Sequence, residues 1–246
     1  MVDRISEASH HGYAKVAGLG LLLMAVLGLF GNFFVFESLI TPGDAAETVS
    51  NLRSNEMLFR AGIAAFLLVA ILDAIVAWAL YVYFSPVNRN LALLAAWLRL
   101  IYTGILVIAL SNHMGVLQRL DDARYSTALG VDQLNAQVMV LIDAFNNTWL
   151  VGLVVFGLHL LVLGYLMVTS GQMSRVVGVL LMIAGSGYLI DNWAQIILPV
   201  YQDYETLFLL VVAVPGVIGE LTFAFWLVLR GARMPATQPD VQLSTP

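Results

Sequence analysis

The sequence predicts an all-α, polytopic membrane protein whose six transmembrane helices form one bundle. Of its 246 residues, 60% are hydrophobic and 11% are charged, whereas a soluble domain carries about 25% charged residues. The hydrophobic residues stand in six long blocks. Each block reaches the length of about 20 residues that a helix needs to cross a bilayer core of about 30 Å. Because a backbone in lipid must satisfy its own hydrogen bonds, each block is expected to be a helix.

The six predicted spans account for most of the chain. They cover residues 13–37, 57–84, 90–117, 136–167, 174–198 and 205–230. The first block is longer than the hydrophobic region of a signal peptide, so we expect it to be retained as a span. Residues 13–230 should therefore form one transmembrane domain. It follows an N-terminal cytoplasmic segment, 1–12, and precedes a polar cytoplasmic tail, 231–246, that we expect to be disordered.

Lysine and arginine are distributed unevenly between the two sides of this predicted bundle. Both termini and the tight turns 85–89 and 169–172 lie on one side. The longer connections 41–55 and 118–133, each with room for a short interfacial helix, lie on the other. The first side carries Arg4, Lys15, Arg89, Arg175, Arg230 and Arg233, and the second carries Arg53, Arg60, Arg119 and Arg124. Since these residues favour the cytoplasmic side, both termini are predicted to be cytoplasmic.

Several classes of function are excluded by composition and by missing motifs. The chain has no cysteine, which excludes disulfides, thiolate catalysis and sites built on cysteine and zinc. No basic patch with interleaved aromatic residues is present, so nucleic acid is not an expected partner. The HExxH, GxSxG and Walker A motifs are missing. We therefore expect no metal and no cofactor.

Two opposite charges lie at matching depths in the second and third spans. Asp73 precedes Pro86, in the turn between these spans, by thirteen residues, and Arg99 follows Pro86 by thirteen. In an antiparallel hairpin each charge then lies about 20 Å from the turn. A charged group at mid-bilayer costs at least about 2.5–3.5 kcal/mol, so we predict a direct or one-water ion pair. The pair is either a structural tie between the spans or part of a ligand or proton site.

Glu220 and His159 are further ionisable residues predicted at a similar depth. Glu220 follows Pro215, Gly216 and Gly219 in the sixth span, and a bent helix beside a carboxylate is one way in which membrane proteins build a site. His159 lies about ten residues from the cytoplasmic end of the fourth span. Both residues also have a structural interpretation. Glu220 is then a carboxylate held by a neighbouring side chain, and His159 is a hydrogen-bonded packing residue. A proton relay and, for the histidine, a metal ligand are the functional alternatives.

A second polar layer is predicted nearer the outer, non-cytoplasmic face of the membrane. Polar residues spaced i, i+3 and i+4 share one face of the fourth span, and the fifth span carries a similar set. These spans are joined by a tight turn, so the two faces are expected to approach each other. The layer consists of Asp143, Asn146, Asn147, Tyr188, Asp191, Asn192 and Gln195, with Tyr102, Thr103 and His113 in a stripe that runs outward from Arg99. It is typical either of a hydrated cavity or of interhelical hydrogen bonds worth about 0.6–2 kcal/mol each.

Several short stretches of the chain resemble one bacterial family in their order and spacing. They are 42–46 (PGDAA), 58–62 (LFRAG), 86–89 (PVNR), 91–96 (LALLAA), 156–160 (FGLHL), 187–191 (GYLID) and 218–221 (IGEL). From about Lys15 to Arg230 the chain is similar to the multi-pass membrane family catalogued as domain of unknown function 4386. The resemblance implies six spans and a bacterial inner membrane, and it implies no activity, substrate or catalytic residue. The chain departs from the family in lacking an acidic residue near Phe66 and a proline near Ser174.

The leading functional hypothesis is a bundle that binds or transports a small polar or amphipathic molecule, or a lipid, in a cavity lined by these polar residues. The bilayer and this ligand are the expected partners, and an oligomer is compatible with the sequence. One alternative is an intramembrane enzyme that uses His159, Glu220 or Asp73 as acid–base groups. The other is a structural or signalling subunit whose polar residues only pack helices. A cavity open to one face favours the first hypothesis, and a dry, satisfied core favours the last.

The distribution of Lys and Arg makes the orientation testable. Alkaline phosphatase, which is active only outside the cytoplasm, should be inactive when it is fused after Arg233, and green fluorescent protein fused there should fluoresce. The same reporters inserted in the predicted outer connection at Asn51 should give the opposite pattern. Phosphatase activity from the Arg233 fusion would refute cytoplasmic termini.

Overall fold

The computed structural model describes residues 2–121, 130–171 and 173–231, with side chains described from Gly12 onward. The described residues form α1 (Val2–Leu29, continued by the π-helical segment Phe30–Phe36 and the turn Glu37–Leu39), α2 (Ala45–Ser54), α3 (Glu56–Phe84), α4 (Arg89–Asp121), α5 (Val131–Thr169), α6 (Arg175–Ile197) and α7 (Tyr201–Leu229). The predicted disordered tail lies outside the described residues except for Gly231. Most of the connection between α4 and α5 also lies outside them.

Six of these helices are long and apolar enough to cross a membrane, as the sequence predicted. The spans are Gly12–Leu39, Glu56–Phe84, Arg89–Asp121, Val131–Thr169, Arg175–Ile197 and Tyr201–Leu229. Their outward faces are apolar, with Phe34 71% and Ile108 62% exposed, whereas Asp73 and Arg99 are 0% and 2% exposed. Apolar groups outside and charged groups inside suit lipid as the surrounding solvent. The chain is therefore a multi-pass α-helical membrane protein.

The six spans form a ring in which each helix packs against its neighbours along the chain and α1 packs against α7. We call the side with the α3–α4 and α5–α6 turns the near side, and the opposite side the far side. The predicted interfacial helix between the first two spans is α2, and its N-terminus is capped by Asp44, which accepts a hydrogen bond from the amide of Glu47 (2.8 Å). Buried residues Thr48 and Leu52 belong to α2, which contacts both α5 and α3. This helix therefore lies across part of the far-side end of the ring.

The far-side half of α1 packs along α3. At Phe30–Phe36 the helix takes π-helical geometry, and the amide of Glu37 donates to the carbonyl of Asn32, five residues earlier. A methyl group built on Gly62 of α3 would lie 2.7 Å from Val35 Cγ1, and one built on Gly31 would lie 2.6 Å from the ring of Phe66. Such close approach ties α1 to α3 along its length. Single π-helical turns occur frequently at functional sites.

Two pairs of glycines set the register between α5 and α6. A methyl group built on Gly157 would lie 2.9 Å from the carbonyl oxygen of Gly185, and one built on Gly185 would lie 2.6 Å from that of Gly157. Gly164 and Gly178 face each other in the same way, at 2.5 and 2.8 Å. Small residues let helix backbones approach closely in a membrane, where packing rather than hydrophobic burial drives association. The α5–α6 pair is thus held backbone to backbone.

Substitution of these glycines should destabilise the protein through the α5–α6 contact. Gly164→Ala should lower the free energy of unfolding by about 1–3 kcal/mol, because its methyl group meets a carbonyl oxygen that cannot move freely. Gly104→Ala is the matched control, since a methyl group at this helical position meets no described atom within 4 Å. The measurement is thermal unfolding of both variants in the same detergent. Equal melting temperatures would contradict the predicted role of the pair.

Candidate intramembrane site

A buried ion pair joins α3 to α4 in the middle of the membrane. Arg99 Nη2 lies 2.6 Å from Asp73 Oδ1, and both side chains are almost fully buried. The direct pair predicted from their equal distance to Pro86 is therefore present. The contact is short but poorly angled for a hydrogen bond, and Asp73 Oδ2 and Arg99 Nε have no hydrogen-bond partner among the described residues. The two charges compensate each other by proximity where neither could remain alone.

His159 of α5 completes a three-helix network around the guanidinium. Arg99 Nη1 lies 3.1 Å from His159 Nε2, and His159 Nδ1 lies 2.8 Å from the carbonyl oxygen of Ala95. A guanidinium can only donate and a carbonyl can only accept. The histidine therefore accepts at Nε2, carries its proton at Nδ1 and is neutral. Both nitrogens are engaged, which favours the interpretation of a hydrogen-bonded packing residue over that of a relay or a metal ligand.

Aromatic rings surround this network. Phe156 lies one turn before His159 on α5, and its ring centre is 5.5 Å from Arg99 Cζ, within the range of a cation–π contact. The Phe156 ring also packs against Tyr102 (4.8 Å) and edge-on against Tyr188 (5.4 Å). The hydroxyl of Tyr102 accepts a hydrogen bond of 3.3 Å from the indole of Trp149. One phenylalanine thus connects the ion pair to the aromatic residues of α4 and α6.

Glu220 of α7 forms the second polar group at this depth. Its Oε1 accepts a hydrogen bond from the hydroxyl of Tyr188 (2.9 Å), and among the described residues its Oε2 has no partner. Glu220 is close enough to interact electrostatically with Arg99 and Asp73. Unlike Asp73 and Arg99, Glu220 and Tyr188 are partly exposed, although they lie deep inside the bundle. Partial exposure at this depth indicates that the pair borders an open space.

His113 does not extend the polar stripe. It is buried like Arg99, Tyr102 and Thr103. However, its ring stacks on Phe145 at 4.0 Å and lies 4.6 Å from Phe36 and 5.3 Å from Phe59. Neither ring nitrogen has a hydrogen-bond partner among the described residues. The far-side part of the stripe is therefore an aromatic cluster, not a hydrated wall.

The predicted outer layer does not form one interior network. Asp143, Asn146 and Asn147 are exposed, and no hydrogen bond joins them to α6 within the described part of the chain. The register set by the glycine pairs places Asn147 level with Gln195, in the last turn of α6, and Asp143 beyond its end. Asp143 therefore projects past α6 toward the far side, and Asn146 and Asn147 are exposed beside its last turn instead of lining an enclosed cavity.

The polar residues of α6 serve the α6–α7 connection instead. Tyr201, the first residue of α7, donates its hydroxyl to Asp191 Oδ1 (2.7 Å). Gln195 Nε2 donates to the other Asp191 oxygen (3.3 Å) and to the Tyr201 hydroxyl (3.1 Å). Asn192 Nδ2 donates to the carbonyl of Tyr188 (2.7 Å). This cluster ties the start of α7 to the end of α6, and among the described residues none of its hydrogen bonds reaches Asp73, Arg99, His159 or Glu220.

Contact between α1 and α7 is concentrated near one end. A methyl group built on Gly18 would lie 2.7 Å from Val228 Cγ2 and 2.9 Å from the carbonyl oxygen of Ala224. Eleven residues are about three helical turns, so a residue at that spacing lies on the same face. Leu29, eleven residues after Gly18, is 50% exposed, and Val217, eleven residues before Val228, is 56% exposed. The two facing surfaces therefore separate toward the far side.

The far-side half of α7 is mostly exposed and approaches α6 closely. Of residues 201–214, all described, Tyr201 and Val212 alone are buried. A methyl group on Gly187 of α6 would lie 2.5 Å from the carbonyl oxygen of Val211, which shows how closely these two helices approach. The π-helical segment of α1 packs against α3. We infer that the ring is open between the far-side halves of α1 and α7, with Glu220 near the start of this opening.

Gly28 of α1 indicates that the opening leads into a hollow. It lies two turns after Leu21, on the same inward face, and Leu21 belongs to the buried core. A methyl group built on Gly28 would meet no described atom of another helix within 4 Å. We infer that this open space beside Gly28 continues to Glu220 and Tyr188, and we call it the lateral hollow.

Sequence reasoning missed Phe156, Trp149 and the lateral hollow. The i, i+3 spacing of Phe156 and His159 could have identified the first, because it places both on one helix face. Trp149 and the hollow depend on contacts between helices that are distant in the sequence. Among the described residues no group of three or more His, Asp or Glu could hold a metal ion.

The ion pair can be tested by a double-mutant cycle. Asp73→Asn and Arg99→Gln should each lower the free energy of unfolding by about 3–5 kcal/mol, because each leaves the other charge buried and alone. The free energy of unfolding of the double variant should fall by less than the sum of the two single losses. Asn146→Ala, at an exposed position, is the control. Additive losses in urea or thermal unfolding would mean that the two side chains do not act as a pair.

Comparison with known proteins agrees with this architecture. Residues 16–231 match the family described as "Domain of unknown function (DUF4386)". An uncharacterized protein from Archaeoglobus fulgidus is 30% identical over 172 residues, which cover 70% of this chain and 85% of that protein. No solved structure matches the chain. The family match runs through all six spans and includes Asp73, Arg99, His159 and Glu220, so the chain belongs to the DUF4386 family.

Proposed function

We propose that this protein binds a small amphipathic molecule that enters sideways from the bilayer through the opening between α1 and α7. One observation carries the proposal: Glu220 and Tyr188 are partly exposed at mid-membrane, where these two helices separate. A polar group at this depth is costly unless it has a partner. A ligand with a polar head and an apolar tail would satisfy the carboxylate and fill the gap between the helices with its tail.

The geometry supports lateral entry over entry along the ring axis. At the far side α2 lies across part of the ring end. At the near side the ring is filled by core residues, including Phe84, Phe223 and Leu227. The facing surfaces of α1 and α7 are lined by exposed apolar residues such as Leu29 and Val217. Ligand sites are typically concave and mostly apolar, with a few polar groups that fix orientation.

The two alternative functions receive less support. An enzyme needs an acid or base that is free to exchange a proton. Of the three candidates, His159 uses both ring nitrogens in hydrogen bonds and Asp73 is paired with Arg99, which leaves Glu220 alone. A purely structural subunit should have a satisfied, closed core. Glu220, with one free carboxylate oxygen beside open space, fits that description poorly.

We propose that the protein resides in a prokaryotic plasma membrane with both termini cytoplasmic. The excess of Lys and Arg on the near side supports this orientation. The bacterial inner membrane is the location implied by the family, and the archaeal relative extends it to the corresponding membrane of archaea.

Lateral binding can be tested with a photoreactive probe. A dodecanol analogue that carries a diazirine in its chain would be added to the protein in lipid nanodiscs and activated by light. Labelling of the segments around Leu29 and Val217 should be saturable and should decrease when excess dodecanol is added. Labelling at the outward-facing Ile108 should rise in proportion to the probe concentration, as expected for bulk lipid.

Gly28→Leu provides the matched variant. It should fill the lateral hollow and reduce saturable labelling by about tenfold, a loss of about 1.4 kcal/mol in binding. It should not impair folding, because leucine is the better helix former by several tenths of a kcal/mol. Gly104→Leu, which adds the same side chain at another position free of contacts, should label like the wild type.

Two outcomes would contradict the proposal. Labelling near Leu29 and Val217 that never saturates would mean that these residues face bulk lipid. An inter-chain disulfide formed in high yield by a single cysteine at Val217 would mean that a second copy covers this face. The absence of native cysteine makes that second test unambiguous.

A further inference from the structure

The charges around the lateral hollow do not balance. The charged side chains at this depth are one guanidinium, that of Arg99, and two carboxylates, those of Asp73 and Glu220. Asp73 lies 2.6 Å from the guanidinium and matches its charge directly. Glu220 is held by the neutral hydroxyl of Tyr188 alone. With both carboxylates ionised, the site carries a formal charge of −1, and the unmatched charge is on Glu220.

The unmatched carboxylate is also the accessible one. Asp73 and Arg99 are 0% and 2% exposed, and the ring of Phe156 covers the guanidinium of Arg99. Glu220 is partly exposed, its Oε1 is occupied by Tyr188, and its Oε2 has no hydrogen-bond partner among the described residues. A molecule in the hollow would therefore meet a carboxylate oxygen before it met the guanidinium.

The surroundings of Glu220 favour positive charge. Tyr188 of α6 donates a hydrogen bond to it, and Arg99 and Tyr102 of α4 and Asp73 of α3 are near enough to interact with it electrostatically. The positive charge of Arg99 is already compensated by Asp73. Tyrosine and phenylalanine faces attract organic cations by about 0.5–2 kcal/mol each, most strongly where water is excluded. On α1, Met24 and Leu27 are partly buried against the apolar core.

We infer that the ligand is an amphipathic cation, whose ammonium head pairs with Glu220 and whose apolar chain lies between α1 and α7. This inference rests on the proposed lateral site and specifies its ligand class. A head group of this kind supplies the missing positive charge, and its hydrogen-bond donors or methyl groups fit a carboxylate surrounded by aromatic rings. An anionic head group would add a second unmatched negative charge at a depth where one is already costly.

The test compares three amphiphiles that share one chain and differ in the charge of the head group. Dodecyltrimethylammonium, dodecyl sulfate and dodecanol would each compete with the photoreactive dodecanol analogue for the segments around Leu29 and Val217. Their concentrations in the nanodisc membrane would be measured, so that differences in partitioning are removed. The cation should compete at least about tenfold more strongly than dodecanol, which corresponds to about 1.4 kcal/mol. Dodecyl sulfate should compete more weakly than dodecanol.

Glu220→Gln provides the charge-removing variant. Its amide oxygen can still accept the hydrogen bond of Tyr188, but the negative charge is gone. The preference for the cation over dodecanol should fall to near one. Glu205→Gln, which removes an exposed carboxylate from the same helix, should keep the wild-type preference. If Glu220→Gln does not fold, the comparison of the three head groups on the wild type still decides.

The outcomes separate this inference from the proposed function. Saturable labelling with equal competition by all three amphiphiles, or stronger competition by dodecyl sulfate, would overturn the cation assignment and leave the lateral site in place. A wild-type preference for the cation that survives Glu220→Gln would overturn the role of Glu220. Labelling that never saturates would overturn the lateral site itself.

Discussion

The ion pair between Asp73 and Arg99 is the interaction on which the rest of this structure depends. A guanidinium cannot lose its charge inside a protein, so Arg99 can lie at mid-membrane only if its neighbours compensate it. Asp73 supplies the opposite charge from α3, His159 supplies an acceptor from α5, and Phe156 supplies a ring face. One side chain therefore fixes how three helices are placed around the ring interior.

The same requirement explains why Glu220 stands apart. The positive charge of Arg99 is consumed by Asp73, the nearer carboxylate, and the second carboxylate receives only a tyrosine hydroxyl. In a closed core this would leave a buried polar atom unsatisfied, which native structures rarely tolerate. Here the ring opens beside Glu220, because the far-side half of α1 packs along α3 and the far-side half of α7 packs along α6. The unsatisfied carboxylate and the gap between α1 and α7 thus occur at one place, and this shared position is the basis of the proposed function.

Much of this could be predicted from the sequence, where the constraint was local. The six spans follow from the hydrophobic blocks, and the ion pair follows from two equal distances to Pro86, since an antiparallel hairpin leaves little freedom in depth. The depth of a residue in the membrane did not determine which neighbours its side chain would meet. His113 lies on the buried face of α4 as the stripe predicted, but its neighbours Phe36, Phe59 and Phe145 come from three other helices. Asn147 is level with Gln195, yet it is exposed because α6 ends there. The lateral hollow depends on how the first and last spans meet, and no local pattern records that contact.

The central claim is that α1 and α7 touch at the near side and separate toward the far side. It is tested most directly by distances between spin labels in lipid nanodiscs, measured by pulsed electron paramagnetic resonance. The chain has no native cysteine, so pairs of labels can be introduced cleanly at Leu29 and Val217 on the far-side half and at Lys15 and Arg230 near the other end. We expect a clearly longer distance for the Leu29–Val217 pair, and a shorter or more narrowly distributed one when dodecyltrimethylammonium is bound. Equal distances for the two pairs, unchanged by the amphiphile, would mean that the helices pack along their whole length and that no lateral opening exists.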